Sequence, residues 1–100
     1  LQYINSNLNK DLSLEKLSQK FFISIYHLGQ TFKEATGFTI NQYIINLRIM
    51  NSRRLLREDF SVTEACHKSG FNNVSHFIRT FKKLTGITPK QYSLKHRESN

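Results

Sequence analysis

Apolar residues recur every three or four positions along most of this chain, and the clearest case is Val74–Thr85. At 100° per residue, Val74, Phe77, Ile78, Phe81 and Leu84 share one arc of roughly 120°. Ser75, His76, Arg79, Lys82 and Lys83 lie opposite, with Arg79 near the centre. The apolar arc predicts a helix packed on a core, and the other face offers hydrogen-bonding groups early and cations later. Ile25–Thr36 repeats the design: Leu28, Phe32 and Ala35, joined by Ile25, predict the core side. Tyr26, Gln30, Lys33 and Glu34 face away, and Gln30 takes the central place that Arg79 holds in the later helix. Between them, Ile40–Arg57 has two apolar stripes, one of Tyr43, Ile44, Leu47 and Met50 and one of Ile45, Ile49 and Leu56. Two stripes predict a central strut packed on both halves, because a surface helix needs only one.

Punctuation sharpens the boundaries. Ser61-Val-Thr-Glu64, Thr39-Ile-Asn-Gln42 and Thr88-Pro-Lys-Gln91 each read as a capping box at a helix start. Pro89 falls at the first helical position, where its missing N–H costs nothing. Gly37, Gly70 and Gly86 follow helical patterns, where a left-handed residue is wanted. Strand signals are weak. The chain therefore predicts an all-α fold of about seven helices, near residues 1–7, 13–21, 24–36, 40–57, 61–69, 74–85 and 89–96.

The chain also repeats itself. LSLEKLSQKF (Leu12–Phe21) stands 48 positions before FSVTEACHKS (Phe60–Ser69), and HLGQTFKEATGFTINQY (His27–Tyr43) stands 49 before HFIRTFKKLTGITPKQY (His76–Tyr92). In the second pair His, Thr, Phe, Lys, Thr, Gly, Thr, Gln and Tyr recur in register. Each half is a short helix, a turn and a longer helix, a layout shared by DNA-reading units and by plain helical hairpins. The expected organisation is a first helix–turn–helix subdomain over 1–38, a linker helix over 39–57 and a second subdomain over 58–100. Halves of about 50 residues are marginal alone, so a shared helix is expected to hold them together. That helix is on the order of 25 Å long at 1.5 Å per residue. Together with the width of each half, it suits two helices set into major-groove faces about 34 Å apart.

Charge narrows the partner. The formal net charge is +8 in 100 residues, an excess that suggests nucleic acid, an acidic membrane or an acidic protein. It is uneven: residues 1–50 hold five basic and three acidic side chains, residues 51–100 ten and four. The electrostatic footprint is expected to be heavier in the second half. No apolar run approaches the ~20 residues that span a bilayer, so no membrane partner is expected. One cysteine, Cys66, excludes an intrachain disulfide and fits a reducing, cytoplasmic setting. The start, LQYINSNLNK, has no initiator Met and no signal-peptide pattern, which suggests a fragment of something longer.

FNNVSHFIRTFKKLTGITPKQY (Phe71–Tyr92) closely resembles the signature of the AraC/XylS family of bacterial transcription regulators. Gly70-Phe71, Phe77, Arg79, Phe81-Lys82-Lys83, Gly86, Thr88-Pro89 and Tyr92 match its pattern. LSLEKLSQKFFIS, HLGQTFKEATG and QYIINLRIMNSRRLL are similar to the family's first unit and linker helix, so the resemblance runs from about Asp11 to His96. It implies sequence-specific binding of double-stranded promoter or operator DNA by two recognition helices, about 24–36 and 74–85, in successive major grooves. It also implies RNA polymerase as a contact and an effector or dimerisation domain N-terminal to this fragment. By family analogy Tyr26, Gly29 and Gln30 are base-facing in the first unit, and Val74, Ser75, His76 and Arg79 in the second. Lys33, Lys82 and Lys83 join them as expected DNA contacts. The family often has Arg where this chain has Gln30; Gln suits adenine and Arg suits guanine. Gly29 supplies no side chain and weakens its helix by up to about 1 kcal/mol.

Rival readings are weaker. His27, His67, His76 and His96 lack metal-ligand spacing, so no metal or other cofactor is expected. Cys66 beside Ala65 reads as a small core residue rather than a nucleophile, and no catalytic constellation stands out, so no enzyme is expected. Two alternatives remain: the AraC-like module of a DNA-alkylation repair enzyme, and a helical protein-interaction module.

Overall fold

The computed structural model describes residues 2–8 and 12–98; Leu1, with which the first expected helix begins, and Asp11, near which the family resemblance starts, lie outside them. Seven helices and no strand occur among the described residues: α1 (Gln2–Ser6), α2 (Leu14–Phe21), α3 (Ile25–Thr36), α4 (Ile40–Arg57), α5 (Val62–Lys68), α6 (Val74–Thr85) and α7 (Pro89–Glu98). They group into two compact units, Leu1–Leu47 and Arg48–Asn100, so the first half of α4 belongs to one and the second half to the other.

All three expected capping boxes form. In the box that opens α4, Thr39 N–H donates to Gln42 Oε1 (3.0 Å) and Gln42 N–H donates to Thr39 Oγ1 (3.1 Å). Ser61 and Glu64 do the same for α5, and Thr88 and Gln91 for α7, which begins at Pro89. Three further helices are capped by a single side chain: Ser13 for α2, Ser24 for α3 and Asn73 for α6. Each such cap satisfies one of the amide donors that a helix start leaves open, typically stabilising by about 1 kcal/mol. Gly37 and Gly86 close α3 and α6 in the left-handed conformation, at φ 82° and 90°.

The first unit is built on Ile4, Leu12, Leu17, Ile40 and Ile44, with Tyr3, Leu8, Leu14, Leu28, Phe32, Tyr43 and Leu47 packed against them. Helix α3 adds only the half-buried pair Leu28 and Phe32 and has no fully buried residue. Ile25 and Ala35, expected in its core arc, are exposed. The core beneath α3 is narrow, and one i,i+4 pair fills the line of contact.

The second unit is deeper. Ile49, Leu55, Leu56, Ala65, Cys66, Phe71, Phe77 and Phe81 are buried. The rings form a connected series: Phe71–Phe77 at 5.1 Å, Phe77–Phe81 at 5.8 Å and Phe81–Tyr92 at 5.8 Å between centroids. Buried Ser52 and Ser69 donate to backbone oxygens of their own helical turns, Ile49 O at 2.7 Å and Cys66 O at 3.0 Å. Their hydroxyls are thus buried without an unmet hydrogen bond. Three residues expected inside are outside: Met50 at 60% exposure, Ile78 at 36% and Leu84 at 45%. Met50 follows Leu47, where the first unit ends, and the buried side of α4 has by then moved to Ile49, Ser52 and Leu56. Ile78 and Leu84 flank the line through Phe77 and Phe81, whose large rings fill the core alone.

The sequence repeat is also a repeat of bonds. Thr36 Oγ1 donates to Phe32 O (2.9 Å), and 49 residues on Thr85 Oγ1 donates to Phe81 O (2.8 Å). Phe32 meets Tyr43 edge-on at 5.3 Å as Phe81 meets Tyr92 at 5.8 Å.

Candidate nucleic-acid interface

Helix α6 is fixed at both ends and along its inner side. Asn73 Oδ1 accepts the His76 N–H (2.9 Å), Gly86 stops the helix, and Phe77 and Phe81 are fully buried. That anchoring sets the opposite face outward: Ser75, His76, Arg79, Lys82 and Lys83 are all exposed. Val74 is half-buried at the start of the helix. Arg79 has no carboxylate partner among the described residues, and neither do Lys82 and Lys83. The His76 ring leans on Phe71, 6.0 Å between centroids, which limits its freedom at the head of the helix. Lys82 and Lys83 occupy the last turn, where cations also complement the helix dipole.

In α3, Ser24 Oγ accepts the His27 N–H (3.1 Å) and Gly37 stops the helix. Tyr26 is 76% exposed, Gln30 and Lys33 are exposed, and Gly29 is half-buried. These four positions line a groove of about 340 Å³, together with Leu14, Ile25, Thr39, Ile40 and Asn41. A Cβ placed on Gly29 would meet nothing within 4 Å, so no neighbour requires a glycine there. Every sequence-predicted contact residue except Val74 and Gly29 is therefore exposed, and those two are half-buried.

The turns before the two helices differ. In the second unit Gly70 takes φ 107°; 48 residues earlier Phe22 takes φ 57° with its ring 93% exposed. Its N–H donates to Ser18 O, closing α2, and Ser18 Oγ donates to Ile23 O. The turn expected between helices near 13–21 and 24–36 is present, but its left-handed residue is a phenylalanine, a bulky type that rarely adopts this conformation, where the second unit has a glycine. The caps Ser13, Ser24 and Asn73 were missed, because none has Glu or Gln three residues later; an N-cap residue before an apolar repeat was their only mark.

Other candidate groups have structural duties. Cys66 is fully buried, its Sγ 3.7 Å from Phe71 O, and burial pushes its thiol pKa up. His67 Nδ1 lies 3.2 Å from Phe71 O. Among the described residues no group of three His, Cys, Asp or Glu side chains is placed to hold a metal ion, and no helix is long and apolar enough to cross a membrane.

Two capped helices, each on its own small core and each showing a polar outer face after a tight turn, are the form of a double helix–turn–helix DNA-binding domain. A family model described as a helix-turn-helix domain matches residues 17–95. An uncharacterised HTH-type transcriptional regulator from Pseudoalteromonas carrageenovora is 39% identical over 71 residues, 71% of this chain and 42% of its own length. The C-terminal domain of the two-component response regulator yesN from Fusobacterium nucleatum is 31% identical, with a TM-score of 0.88 over 92% of this chain and 91% of that one. The DNA-binding domain of the global transcriptional factor AdpA, solved with a target DNA, shares the fold: TM-score 0.93 over 99% of this chain and 90% of that one, at 24% identity. The chain belongs to the AraC/XylS type of helix-turn-helix transcription regulators. It spans only 24% to 42% of the length of the first curated relatives it matches.

Proposed function

We propose that this domain reads a specific DNA sequence through α3 and α6, entered into successive major grooves of one duplex. The reading rests on α6: a helix pinned by buried Phe77 and Phe81, holding at mid-face an Arg79 without a carboxylate partner among the described residues, hydrogen-bonding groups at its head and two lysines at its tail. Side chains near the N-terminus suit base edges, and cations further along suit phosphates. Base contacts are assigned to Tyr26, Gly29 and Gln30 in α3 and to Val74, Ser75, His76 and Arg79 in α6; Lys33, Lys82 and Lys83 are assigned to phosphates. Gln30 in place of an arginine makes the first contact set less cationic. AdpA, solved in complex with a target DNA, shares the fold, which supports DNA as the partner. The wider reading is a cytoplasmic regulator that contacts RNA polymerase and senses an effector or dimerises through residues beyond these 100. The methyl-accepting alternative is not favoured, because the thiol of Cys66 is buried in the core.

Selection from a random duplex pool should return one asymmetric consensus with two separated blocks. Affinity for it should fall with salt at a log–log slope near about −5, as expected for roughly six neutralised phosphates. Arg79→Ala should cost about 1–3 kcal/mol and relax preference at one base pair. A flat salt response, or no enriched sequence, would sink the reading.

A further inference from the structure

The second unit carries a pair of guanidiniums that groove reading does not use. In the final turns of α4, Arg57 Nη1 donates to the Tyr92 hydroxyl (2.7 Å), and the Arg53 guanidinium lies over the Tyr92 ring, 5.8 Å from its centroid. Both arginines are exposed, and neither has a carboxylate partner among the described residues. Their neighbours differ: Arg54 pairs with Glu58, and Arg97 lies 3.8 Å from Asp59. Glu58 and Asp59 thus lie against other cations, and among the described residues no carboxylate offsets Arg53 and Arg57. Like charges this close repel unless an anion sits between or beside them. Tyr92 holds them together: burial alone would raise its phenol pKa, yet the hydrogen bonds and charges of Arg57 and Arg53 outweigh that and lower it.

The internal repeat acts as a control. Tyr43 is the counterpart of Tyr92 and packs on Phe32 in the same edge-on way. In the register of the first repeat, 48 positions before Arg53 and Arg57, the sequence has Asn5 and Asn9, both uncharged. The two charges are thus a feature of the second copy of the repeat alone.

Their position decides the ligand. Tyr92 meets Phe81 on the inward side of α6, two residues and 200° around the helix from Arg79. A duplex seated on the outer face of α6 lies on the other side of that helix. The flat forks of two arginines, pre-oriented by one tyrosine, match carboxylates in bidentate fashion. We propose that Arg53, Arg57 and Tyr92 form a docking site for an acidic segment of a partner protein, occupied while the domain is on DNA. This inference rests on the proposed placement of α6 in the groove.

The test uses the 100-residue chain, bound to its selected duplex, with octaglutamate peptide as the probe and arginine Nε–H resonances as the readout. Addition of peptide should shift Arg53 and Arg57 selectively. R53Q/R57Q should weaken peptide binding by about tenfold or more, as expected for lost charge-assisted pairs, and leave duplex affinity and its salt slope unchanged. K68Q/K90Q removes the same charge elsewhere and should not have this effect. Y92F keeps the ring beneath Arg53 but frees Arg57, and should give a partial loss in a chain whose circular dichroism stays native. Shifts spread over all the basic residues, with both double variants losing equally, would overturn the site. So would a duplex salt slope lowered by about 2 in R53Q/R57Q, since that would make the pair a phosphate contact. Failure of the groove reading shows separately: K82Q/K83Q and Arg79→Ala would then leave duplex binding untouched, and the peptide titration is repeated without DNA.

Discussion

Gly29→Ala should make this protein more stable. Gly29 lies in the fifth position of the twelve-residue α3, away from both ends, where glycine is about 0.8–1.0 kcal/mol worse than alanine. The penalty comes from backbone freedom in the unfolded chain, so alanine recovers it wherever the new methyl fits. Here it fits, because nothing stands within 4 Å of the Cβ position. A gain near 1 kcal/mol raises the melting temperature of a domain this size by roughly 4–8 °C. Thermal melts followed by circular dichroism at 222 nm give the number directly. A melting temperature that stays put or falls would refute the account of an open, unstrained helical site. The same variant reports on the groove. If bases approach the α3 backbone closely at Gly29, the more stable protein should bind its selected duplex less tightly.

Phe22→Gly should stabilise by roughly 0.5–1 kcal/mol, because left-handed strain is relieved and a ring 93% exposed has little burial to lose; a urea midpoint that drops would show hidden packing. Cys66 should resist a thiol reagent at pH 8 in the native state and label at the rate of opening; rapid stoichiometric labelling would contradict its burial. Glu64 gives a pH dependence. The Ser61 backbone N–H that it accepts in the capping box, helped by the Ser61 side chain and the charge of Lys68, lowers its pKa from an ordinary 4.5. Its contribution is therefore present above that ordinary value and lost as pH falls through the lowered one. Melting temperatures taken between about pH 5 and 3 should accordingly fall less steeply in Glu64→Gln than in the parent, and parallel curves would mean that the box is insensitive to charge.

Much of this architecture was legible because helix punctuation is local chemistry. Thr39/Gln42, Ser61/Glu64 and Thr88/Gln91 need only residues three apart, and each box forms. The outer face of α6 was legible for a similar reason: Phe77 and Phe81 fix the inner side so firmly that the cations have one place to go. What failed was the width of the buried arcs. Ile25, Ala35, Met50, Ile78 and Leu84 sit on apolar stripes by periodicity but face solvent, because how far a core extends beneath a helix depends on partners distant in sequence. The turn after Phe21 was expected but its left-handed residue was not, because a phenylalanine there contradicts the residue preference for that conformation. The Arg53–Tyr92–Arg57 group was also invisible, since it joins positions 35 and more residues apart.

The unequal depth of the two cores has a kinetic consequence. Helix α3 rests on two half-buried side chains, whereas α6 is pinned by two rings fully out of water. Local opening costs least where buried apolar contact is thinnest, so amide exchange should run faster in α3 than in α6. Where both helices enter the duplex as proposed, α3 has more order to gain on binding than α6.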